Sequence, residues 1–273
     1  MEPALPPVAE AYERLAPFYD DLAPFYDRFT EGYAHQALVS ELVALAREHG
    51  QTGERALDVA CGTGKSFLPF LRRGYAVTAF DVSAEMAALA AAKAPGANVF
   101  VADVRTLERL GSFDLITWLD DSVNYLLDEG ELEAALGSLA ANLAPDGVLV
   151  FDVNTLSTYR TTFARDMTLD GPGLFLAWRG GCEGSEEPGC LAELVVEAFS
   201  EVDPGVYERV TTRHLQRHHP RPAVEAALAV AGLAAVAVFG QLPDGSLDER
   251  AGELDHHKLV YLAQRVAKGG DPE

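Results

Sequence analysis

Three aspartates at nearly equal spacing are the residues of this chain whose types and positions best suit a chemical role. Asp58, Asp81 and Asp103 each close a short apolar run, and successive members lie 23 and 22 residues apart. That interval is typical of strand–helix units in a parallel sheet, which aligns the carboxylates at the strand ends. Gly62 and Gly64 follow the first aspartate, and without a Cβ they let the backbone approach a ligand closely. Because a carboxylate after the second strand can accept both ribose hydroxyls, the pattern predicts a site for a nucleoside-containing cofactor.

Two phosphate-binding motifs are incomplete around this turn. A dinucleotide fingerprint needs a third glycine where this chain has Phe67, and a bulky side chain there spoils the packing that holds a pyrophosphate. The segment Gly64-Lys65-Ser66 imitates the end of a P-loop, but the glycine required five residues earlier is Val59. The remaining possibility is a cofactor with ribose and adenine but no phosphate.

Five motifs then occur in a characteristic order, namely Leu57–Gly64, Asp81, Asp103, Phe113–Thr117 and Leu143–Val150. Together they resemble the sequential motifs of class I S-adenosylmethionine (SAM)-dependent methyltransferases, over roughly residues 12–155. The resemblance implies SAM as the cofactor and S-adenosylhomocysteine (SAH) as its product.

The resemblance also implies individual cofactor contacts. Gly62 and Gly64 are expected to meet the aminoacyl part of SAM, Asp81 the ribose, Met86 the adenine ring, and Asp103 the adenine edge. An alternative for both acids is that they only cap the element that follows. The expected cofactor-binding residues are Tyr19, Tyr26, Tyr33, Asp58, Ala60, Gly62, Gly64, Asp81, Val82, Met86, Asp103, Val104 and Leu119.

Two similar segments near the N-terminus, Leu15–Asp20 and Leu22–Asp27, lie seven residues apart. Many small-molecule methyltransferases carry a tyrosine-containing segment here that closes over the cofactor. The resemblance therefore implies a lid that contains Tyr19, Tyr26 and Tyr33, with Tyr26 also a catalytic candidate. The alternative is two amphipathic helical turns whose aromatic side chains simply pack on the fold.

Polar residues follow the predicted fourth and fifth strands. Asp121 and Asn124 lie in a D-S-x-N-Y sequence, and Asn154 ends a D-x-N sequence, as in one subgroup of the family. Polar side chains at strand ends around one crevice suit a polar substrate. Asp121, Asn124 and Asn154 are therefore predicted to bind substrate, although capping and turn roles explain them equally well.

His214 is the histidine best placed for catalysis. In the strand-like run 206–215 it shares a face with Val206, Val210 and Thr212 by alternation. We predict that it binds substrate and acts as a general base for a hydroxyl acceptor. A structural or solvent-facing histidine is the alternative.

No metal site is predicted. The adjacent pairs His218-His219 and His256-His257 would point to opposite faces of a strand, which makes them poor ligand pairs. Cys182 and Cys190 flank a tight loop, but two ligands without a second pair are a weak zinc signal, so free thiols are the better interpretation.

Composition limits the partners. With 42 acidic and 21 basic residues the net charge is −21, which disfavours nucleic-acid binding. No run of eighteen apolar residues and no signal peptide occur, so neither a membrane span nor membrane binding is expected. Three cysteines fit a reducing cytoplasm.

The apolar runs predict an α/β fold: a Rossmann-like, seven-stranded, mostly parallel sheet with helices on both faces and an inserted antiparallel β-meander. Strand-like runs at 174–179, 190–199 and 206–215 form the meander, and a helix is predicted over 64–73. The predicted domains are a helical lid (1–33), a SAM-binding core (34–153 and 217–265) and the insert (154–216), which selects substrate or forms a dimer.

The predicted function is SAM-dependent transfer of a methyl group to N or O of a small polar metabolite, in secondary metabolism, by a monomer or homodimer. Two alternatives remain open. One is methylation of a protein or carrier-bound group, and the other is a non-catalytic regulatory protein that binds SAM.

Overall fold

The computed structural model describes residues 15–30 and 35–266. Tyr33 and residues 1–14 of the predicted lid lie outside these ranges. The helices are α1 (Leu15–Phe29), α2 (His35–Glu48), α3 (Leu68–Arg72), α4 (Ala84–Lys93), α5 (Glu131–Asn142), α6 (Leu156–Thr161) and α7 (Arg221–Val230). Short 3-10 helices span Val104–Thr106 and Ser122–Tyr125.

The strands form two sheets within the described residues. The strands are β1 (Arg55–Val59), β2 (Ala76–Asp81), β3 (Asn98–Val101), β4 (Phe113–Trp118), β5 (Leu143–Asn154), β6 (Met167–Gly171), β7 (Leu174–Gly180), β8 (Leu191–Asp203), β9 (Val206–Arg217), β10 (Leu233–Gln241), β11 (Leu247–Asp248) and β12 (Lys258–Arg265). The larger sheet has the order β11-β10-β12-β5-β4-β1-β2-β3, and the smaller has the order β6-β7-β8-β9.

The larger sheet confirms the predicted Rossmann-like fold. Strands β1 to β5 pair in parallel, whereas β12 lies antiparallel between β5 and β10. The eighth strand, which was not predicted, is the two-residue β11 at the edge. The strand order reverses direction at β1, which pairs with β2 on one side and β4 on the other. In open α/β sheets, ligands bind at such a switch point, outside the carboxyl ends of the strands.

Alternating side chains bury both faces of this sheet. In β1, Leu57 and Val59 pack in the layer that contains α5 and α7, whereas Ala56 packs in the layer that contains α2 and α4. Successive residues of a strand point to opposite faces, so a sheet covered on both sides needs continuous apolar strands. The rigid strand ends between these two layers therefore position the polar residues that follow them.

The third helix is shorter than the predicted 64–73. It covers Leu68–Arg72, and the residues before it form turns in which Gly64 has φ +90°. That left-handed backbone cannot continue a helix, and the Leu68 amide reaches the Gly64 carbonyl at 3.1 Å only at the end of the turn. The glycine motif is thus an irregular turn rather than a first helical turn.

The smaller sheet contains more than the three predicted strands. An additional strand, β6, pairs with β7, and α6 precedes it. All of β6 except its last residue is exposed, so the sequence shows none of the alternation that reveals a half-buried strand. Leu22 of α1 packs in the apolar layer under this sheet together with Leu194 and Val196 of β8.

No helix in the described part of the chain combines the length and the apolar character that a membrane crossing requires.

Candidate active site

Two adjoining cavities open at the carboxyl ends of the central strands. The core cavity, about 930 Å³, lies over the ends of β1, β2 and β4. The insert cavity, about 1690 Å³, lies between these strand ends and the smaller sheet. Both cavities are lined by the same five junction residues, Tyr19, Tyr26, His35, Asp120 and Tyr125. A ligand in one cavity can therefore contact a ligand in the other.

The glycine turn exposes its backbone to the core cavity. Ala60 and Gly62 both have φ +52°, a left-handed conformation that is uncommon for alanine. The Cys61 amide donates to the Phe80 carbonyl at 3.0 Å, which fixes the turn to β2. A Cβ added to Gly62 would meet only the Tyr26 ring, at 3.8 Å. The space beside this backbone thus faces the cavity, under a tyrosine of α1.

Asp81 organises the next part of the core cavity. Its Oδ2 accepts from the Gly62 amide at 2.8 Å and its Oδ1 from the Ser83 amide at 2.9 Å. Ser83 in turn caps α4, since its Oγ accepts from the Met86 amide at 3.1 Å. Burial raises the pKa of Asp81 to about 6 despite these backbone donors. The Val82 amide also acts on this carboxylate, which leaves about one of its roughly four acceptor sites for a ligand hydroxyl.

Asp58 lies buried at the floor of the same cavity. It accepts from the Ser66 hydroxyl at 2.6 Å and from the Thr117 hydroxyl at 2.5 Å. These bonds tie β1 to β4 and to the glycine turn. Burial raises its pKa to about 7, although both hydroxyl donors act in the opposite direction.

Helix α1 covers the core cavity and is held there by two acids. Asp20 accepts from the Ser83 hydroxyl at 2.5 Å and the Glu85 amide at 3.2 Å. Asp27 accepts from the Thr63 hydroxyl at 2.5 Å and forms an ion pair with Lys93. Because these contacts join α1 to the glycine turn and to α4, they hold Tyr19 and Tyr26 above the cavity.

Most of the predicted cofactor residues line the core cavity. Those on its wall are Tyr19, Tyr26, Asp58, Ala60, Gly62, Asp81, Val82, Met86, Val104 and Leu119. Two do not line it. Gly64 faces its own turn, where an added Cβ would lie 2.9 Å from the Phe67 ring. The Asp103 carboxylate caps the following 3-10 turn through the Arg105 amide at 2.9 Å and pairs with the Arg105 guanidinium at 2.6 Å.

Two adjacent acids at the end of β4 lie in a strained turn of the insert cavity. Asp120 and Asp121 have φ +61° and +56°. Their backbone amides both donate to the buried Asp152 carboxylate, at 2.8 and 2.7 Å. Lys258 of β12 contacts the same carboxylate at 3.2 Å. Left-handed non-glycine residues cost roughly 1–3 kcal/mol each, and such strain concentrates at functional sites.

The same turn shifts the pKa values of the two carboxyls in opposite directions. For Asp120, burial disfavours the charged form, but the His35 hydrogen bond at 2.8 Å and the Lys258 charge outweigh it and lower the pKa. For Asp121, burial prevails over Lys258 and Gln216 and raises the pKa. Asp121 Oδ2 accepts from the Gln216 amide group at 2.7 Å. Carboxyls with such different environments suit different tasks.

His214 lies on the wall of the insert cavity, with both ring nitrogens in hydrogen bonds. Nδ1 lies 2.8 Å from the Tyr125 hydroxyl, and Nε2 lies 3.0 Å from the Thr212 hydroxyl. The Tyr19 hydroxyl donates to Tyr125 at 3.2 Å. Burial lowers the pKa of His214 to about 4, so the ring is neutral near pH 7. This geometry favours a role for His214 in positioning Tyr125 over a role as a general base.

Asn124, predicted to bind substrate, lines neither cavity. It is fully buried, with its Nδ2 donating to the Arg217 carbonyl at 2.9 Å and its Oδ1 accepting from the Asn154 amide at 2.8 Å. It joins the 3-10 turn after β4 to β5 and β9. Asp121, Asn154 and His214 do line the insert cavity.

Comparison with known proteins agrees with this geometry. A methyltransferase domain model matches residues 56–147. A protein of Geobacillus sp. (strain WCH70) that bears a methyltransferase name is 34% identical over 176 residues, which cover 62% of this chain and 70% of that protein. This chain belongs to the SAM-dependent methyltransferases.

Two further relatives of this methyltransferase are informative. A dTDP-3-amino-3,6-dideoxy-alpha-D-glucopyranose N,N-dimethyltransferase of Streptomyces fradiae is 33% identical over 122 residues, which cover 45% of this chain and 48% of that protein. The structure of a SAM-dependent methyltransferase from Clostridium acetobutylicum has a TM-score of 0.76 at 22% identity, over 90% of this chain and 98% of that one. The second likeness shows the fold.

The methyltransferase is an enzyme whose cofactor is SAM. The core cavity fits this cofactor on three independent grounds. The backbone beside Gly62 is open to a ligand, Asp81 keeps an acceptor site, and Met86 and Val104 supply apolar surface for an adenine ring.

The sequence did not single out several residues of the methyltransferase that line the junction or support it. His35, Tyr125, Gln216 and Lys258 come from four elements far apart in the chain. Tyr125 and Asp152 belong to the D-S-x-N-Y and D-x-N sequences, and Asp120 directly precedes the first of them, so these two sequences were a usable signal. His35 and Lys258 carry no local signal, because the fold alone brings them to the cavity. In residues 15–30 and 35–266, no three or more His, Cys, Asp or Glu side chains are grouped to hold a metal ion.

Proposed function

We propose that this methyltransferase transfers the methyl group of SAM to the nitrogen of a small-molecule amine that lies in the insert cavity. The proposal rests on the junction residues, which line both cavities and comprise one carboxylate, one imidazole and three tyrosines. A hydroxyl acceptor needs a base that takes its proton during the attack, whereas an amine attacks through its lone pair, so that a carboxylate has only to accept the proton of an ammonium group. The buried His214, with both nitrogens bonded, does not offer one.

In this proposal the core cavity residues hold the cofactor. Asp81 accepts from a ribose hydroxyl, the backbone at Ala60 and Gly62 meets the aminoacyl part, and Met86 with Val104 contacts the adenine. When bound, SAM would supply an electrophilic methyl carbon. An acceptor that arrives as an ammonium group first gives up a proton, and the freed nitrogen lone pair then forms the new bond while the sulfur keeps the electron pair of the bond that breaks.

Asp121 is the side chain that handles the amine proton. It lies on the wall of the insert cavity, and Asn154 and Gln216 hold one of its oxygens at 3.1 and 2.7 Å. Burial raises its pKa, which makes it a better proton acceptor than an exposed aspartate. Asp120, paired with His35, stays charged and draws an ammonium group toward the junction.

The remaining parts of the chain divide the task. Helix α1 acts as a lid, with Tyr19 and Tyr26 over the cofactor. Residues 154–216 select the acceptor, because β7, β8 and β9 form one wall of the insert cavity.

The Streptomyces fradiae relative is named as an N,N-dimethyltransferase, which supports nitrogen as the acceptor atom. The free thiols of Cys61, Cys182 and Cys190 support a reducing, cytoplasmic location.

A matched pair of acceptors tests the proposal. The enzyme is incubated with SAM and either 2-phenylethylamine or 2-phenylethanol, and SAH release and product mass are recorded. The amine should yield mono- and dimethylated products and the alcohol none, with Asp81→Ala as the inactive control. Methylation of the alcohol at the rate of the amine would refute nitrogen transfer.

A further inference from the structure

We infer that the acceptor is an amine carried on a largely apolar body that has no phosphate or other anionic group. This inference rests on the proposed function, and it goes beyond it by naming what the rest of the acceptor must be. The evidence is the distribution of charge and apolar surface around the insert cavity.

The charged side chains of the insert cavity are mainly acids. Among the described residues that line it, Asp120, Asp121 and Asp244 carry carboxylates, and Lys258 is the one lysine or arginine. Lys258 is already matched by carboxylates, at 3.2 Å from Asp152, 3.9 Å from Asp121 and 4.0 Å from Asp120. An anion brought here would have to break this arrangement, whereas an ammonium group completes it.

Apolar side chains also contribute to the lining of the insert cavity. Trp178 of β7 lies beside Val196 of β8 in the sheet register, and Leu194 follows on the same face of β8 by alternation. Phe163 and Leu22 extend this surface from the segment after α6 and from α1. Such a wall gains free energy from burying hydrocarbon, and among these side chains only the neutral indole N–H of Trp178 could donate to a phosphate.

The size of the insert cavity indicates that the body is substantial. About 510 Å³ of this cavity can hold the centre of a water molecule, against about 80 Å³ of the core cavity. An acceptor as small as glycine would leave the apolar wall hydrated, so the wall favours a ring or a long hydrocarbon next to the amine.

This conclusion separates the enzyme from its named sugar-nucleotide relative. The Streptomyces fradiae protein is named for a dTDP-amino sugar, whose diphosphate would require arginine, lysine or a helix N-terminus for recognition. The insert cavity shows no arginine among its described lining residues, and its lysine is engaged. The two proteins can therefore both methylate nitrogen although only the relative is named for a nucleotide-linked acceptor.

Binding of three probes to the SAH complex tests the inference without needing the natural acceptor. Calorimetry at pH 7 compares 2-phenylethylamine, 3-phenylpropanoate and dTDP. We expect the amine to bind at least about tenfold more tightly than either anion, the range of one charge-assisted hydrogen bond. An affinity for either anion equal to or above that for the amine overturns the inference.

Two variants test whether the preference for the amine over the anions comes from the Asp121 carboxylate. Asp121→Asn should reduce the amine's advantage about tenfold, while Asp146→Asn, which removes an exposed acid that lines neither cavity, should leave it unchanged. Equal effects of the two variants would show that only the general negative charge of the protein is sensed, and would overturn the local assignment. Tight dTDP binding together with methylation of amines would reject this inference yet leave nitrogen transfer intact, whereas methylation of alcohols would reject the proposed function itself.

Discussion

The core cavity and the insert cavity meet at five residues, yet they are built in different ways. Apart from α1 and His35, the core cavity is lined by residues between Asp58 and Leu126, which lie at the ends of successive parallel strands and in the turns that follow them. The insert cavity takes its lining from residues as distant as Tyr19 and Lys258. Cofactor binding is thus encoded locally, and acceptor recognition depends on how distant segments meet. Variants should separate the two regions.

The largest expected effect lies in the core cavity, at Asp81. Asp81→Ala removes the proposed ribose acceptor and leaves the Gly62 and Ser83 amides without their partner. Because charge-assisted bonds are lost, SAH should bind more weakly by roughly 2–4 kcal/mol, about 30- to 1000-fold. Calorimetry with SAH measures the loss, and Asp81→Asn, which keeps one oxygen, should lose less. Unchanged affinity in the alanine variant would reject the assignment.

The next largest effect is expected at Asp121, where a substitution should impair turnover of the amine without changing SAH affinity. Asp121→Asn should lower kcat/KM for an amine by about 10- to 100-fold, since the carboxylate that takes up the proton is gone. SAH affinity should stay at the wild-type value, because Asp121 does not line the core cavity. Steady-state kinetics and SAH calorimetry on one preparation measure both. A parallel loss of SAH affinity would mean that the two cavities are not independent.

The affinity for SAH should also depend on pH through the core cavity. The pKa of Asp81 is raised to about 6, so its carboxylate is ionised above that pH and protonated below it. Binding that needs the ionised form weakens as pH falls below 6, approaching tenfold per pH unit. Calorimetry between pH 8 and 5 should show this, and Asp81→Asn should abolish it. A pH dependence that persists near pH 7 in the variant would belong to Asp58.

His214 should matter less than a general base would. His214→Ala removes the hydrogen bond to Tyr125, worth about 1 kcal/mol, so turnover should fall roughly fivefold. A general base would contribute about 10²- to 10⁴-fold. The pH–rate profile of the variant should keep its wild-type shape, because His214 is neutral above its pKa of about 4. Loss of an acidic limb near pH 6–7 in the variant would restore the base assignment.

The smallest effect concerns α1. Amide hydrogen exchange across residues 15–30 should slow when SAM binds, because Tyr19 and Tyr26 lie on the cavity wall. Exchange in α7, which lies on another face of the large sheet, serves as the internal control. Equal exchange in α1 with and without cofactor would make it a fixed structural helix rather than a lid.

The sequence predicted the core cavity better than the insert cavity for a physical reason. Asp58, Gly62, Asp81 and Met86 follow strands whose register with each other is set by continuous apolar runs, so spacing alone places them together. Gly64 was assigned to the cofactor, but its position depends on the handedness of a turn that spacing does not specify.

Residues of the insert cavity posed a harder problem. Asn124 was assigned to substrate because it follows β4, yet the fold turns it toward β5 and β9. His35 and Lys258 reach the same two acids from opposite ends of the chain, and no local pattern indicates such a meeting. The left-handed turn at Asp120-Asp121 depends on the Asp152 carboxylate about thirty residues later, so it too is a tertiary feature.

The central claim is that the two cavities form one active site for nitrogen transfer. A crystal structure of the enzyme with SAH and 2-phenylethylamine tests it most directly. We predict SAH in the core cavity and the amine nitrogen among Tyr19, Tyr125 and Asp120. The nitrogen should face the SAH sulfur with room for the transferred methyl group between the two atoms, as an in-line attack requires. An amine nitrogen placed away from this junction, or SAH outside the core cavity, would contradict the account.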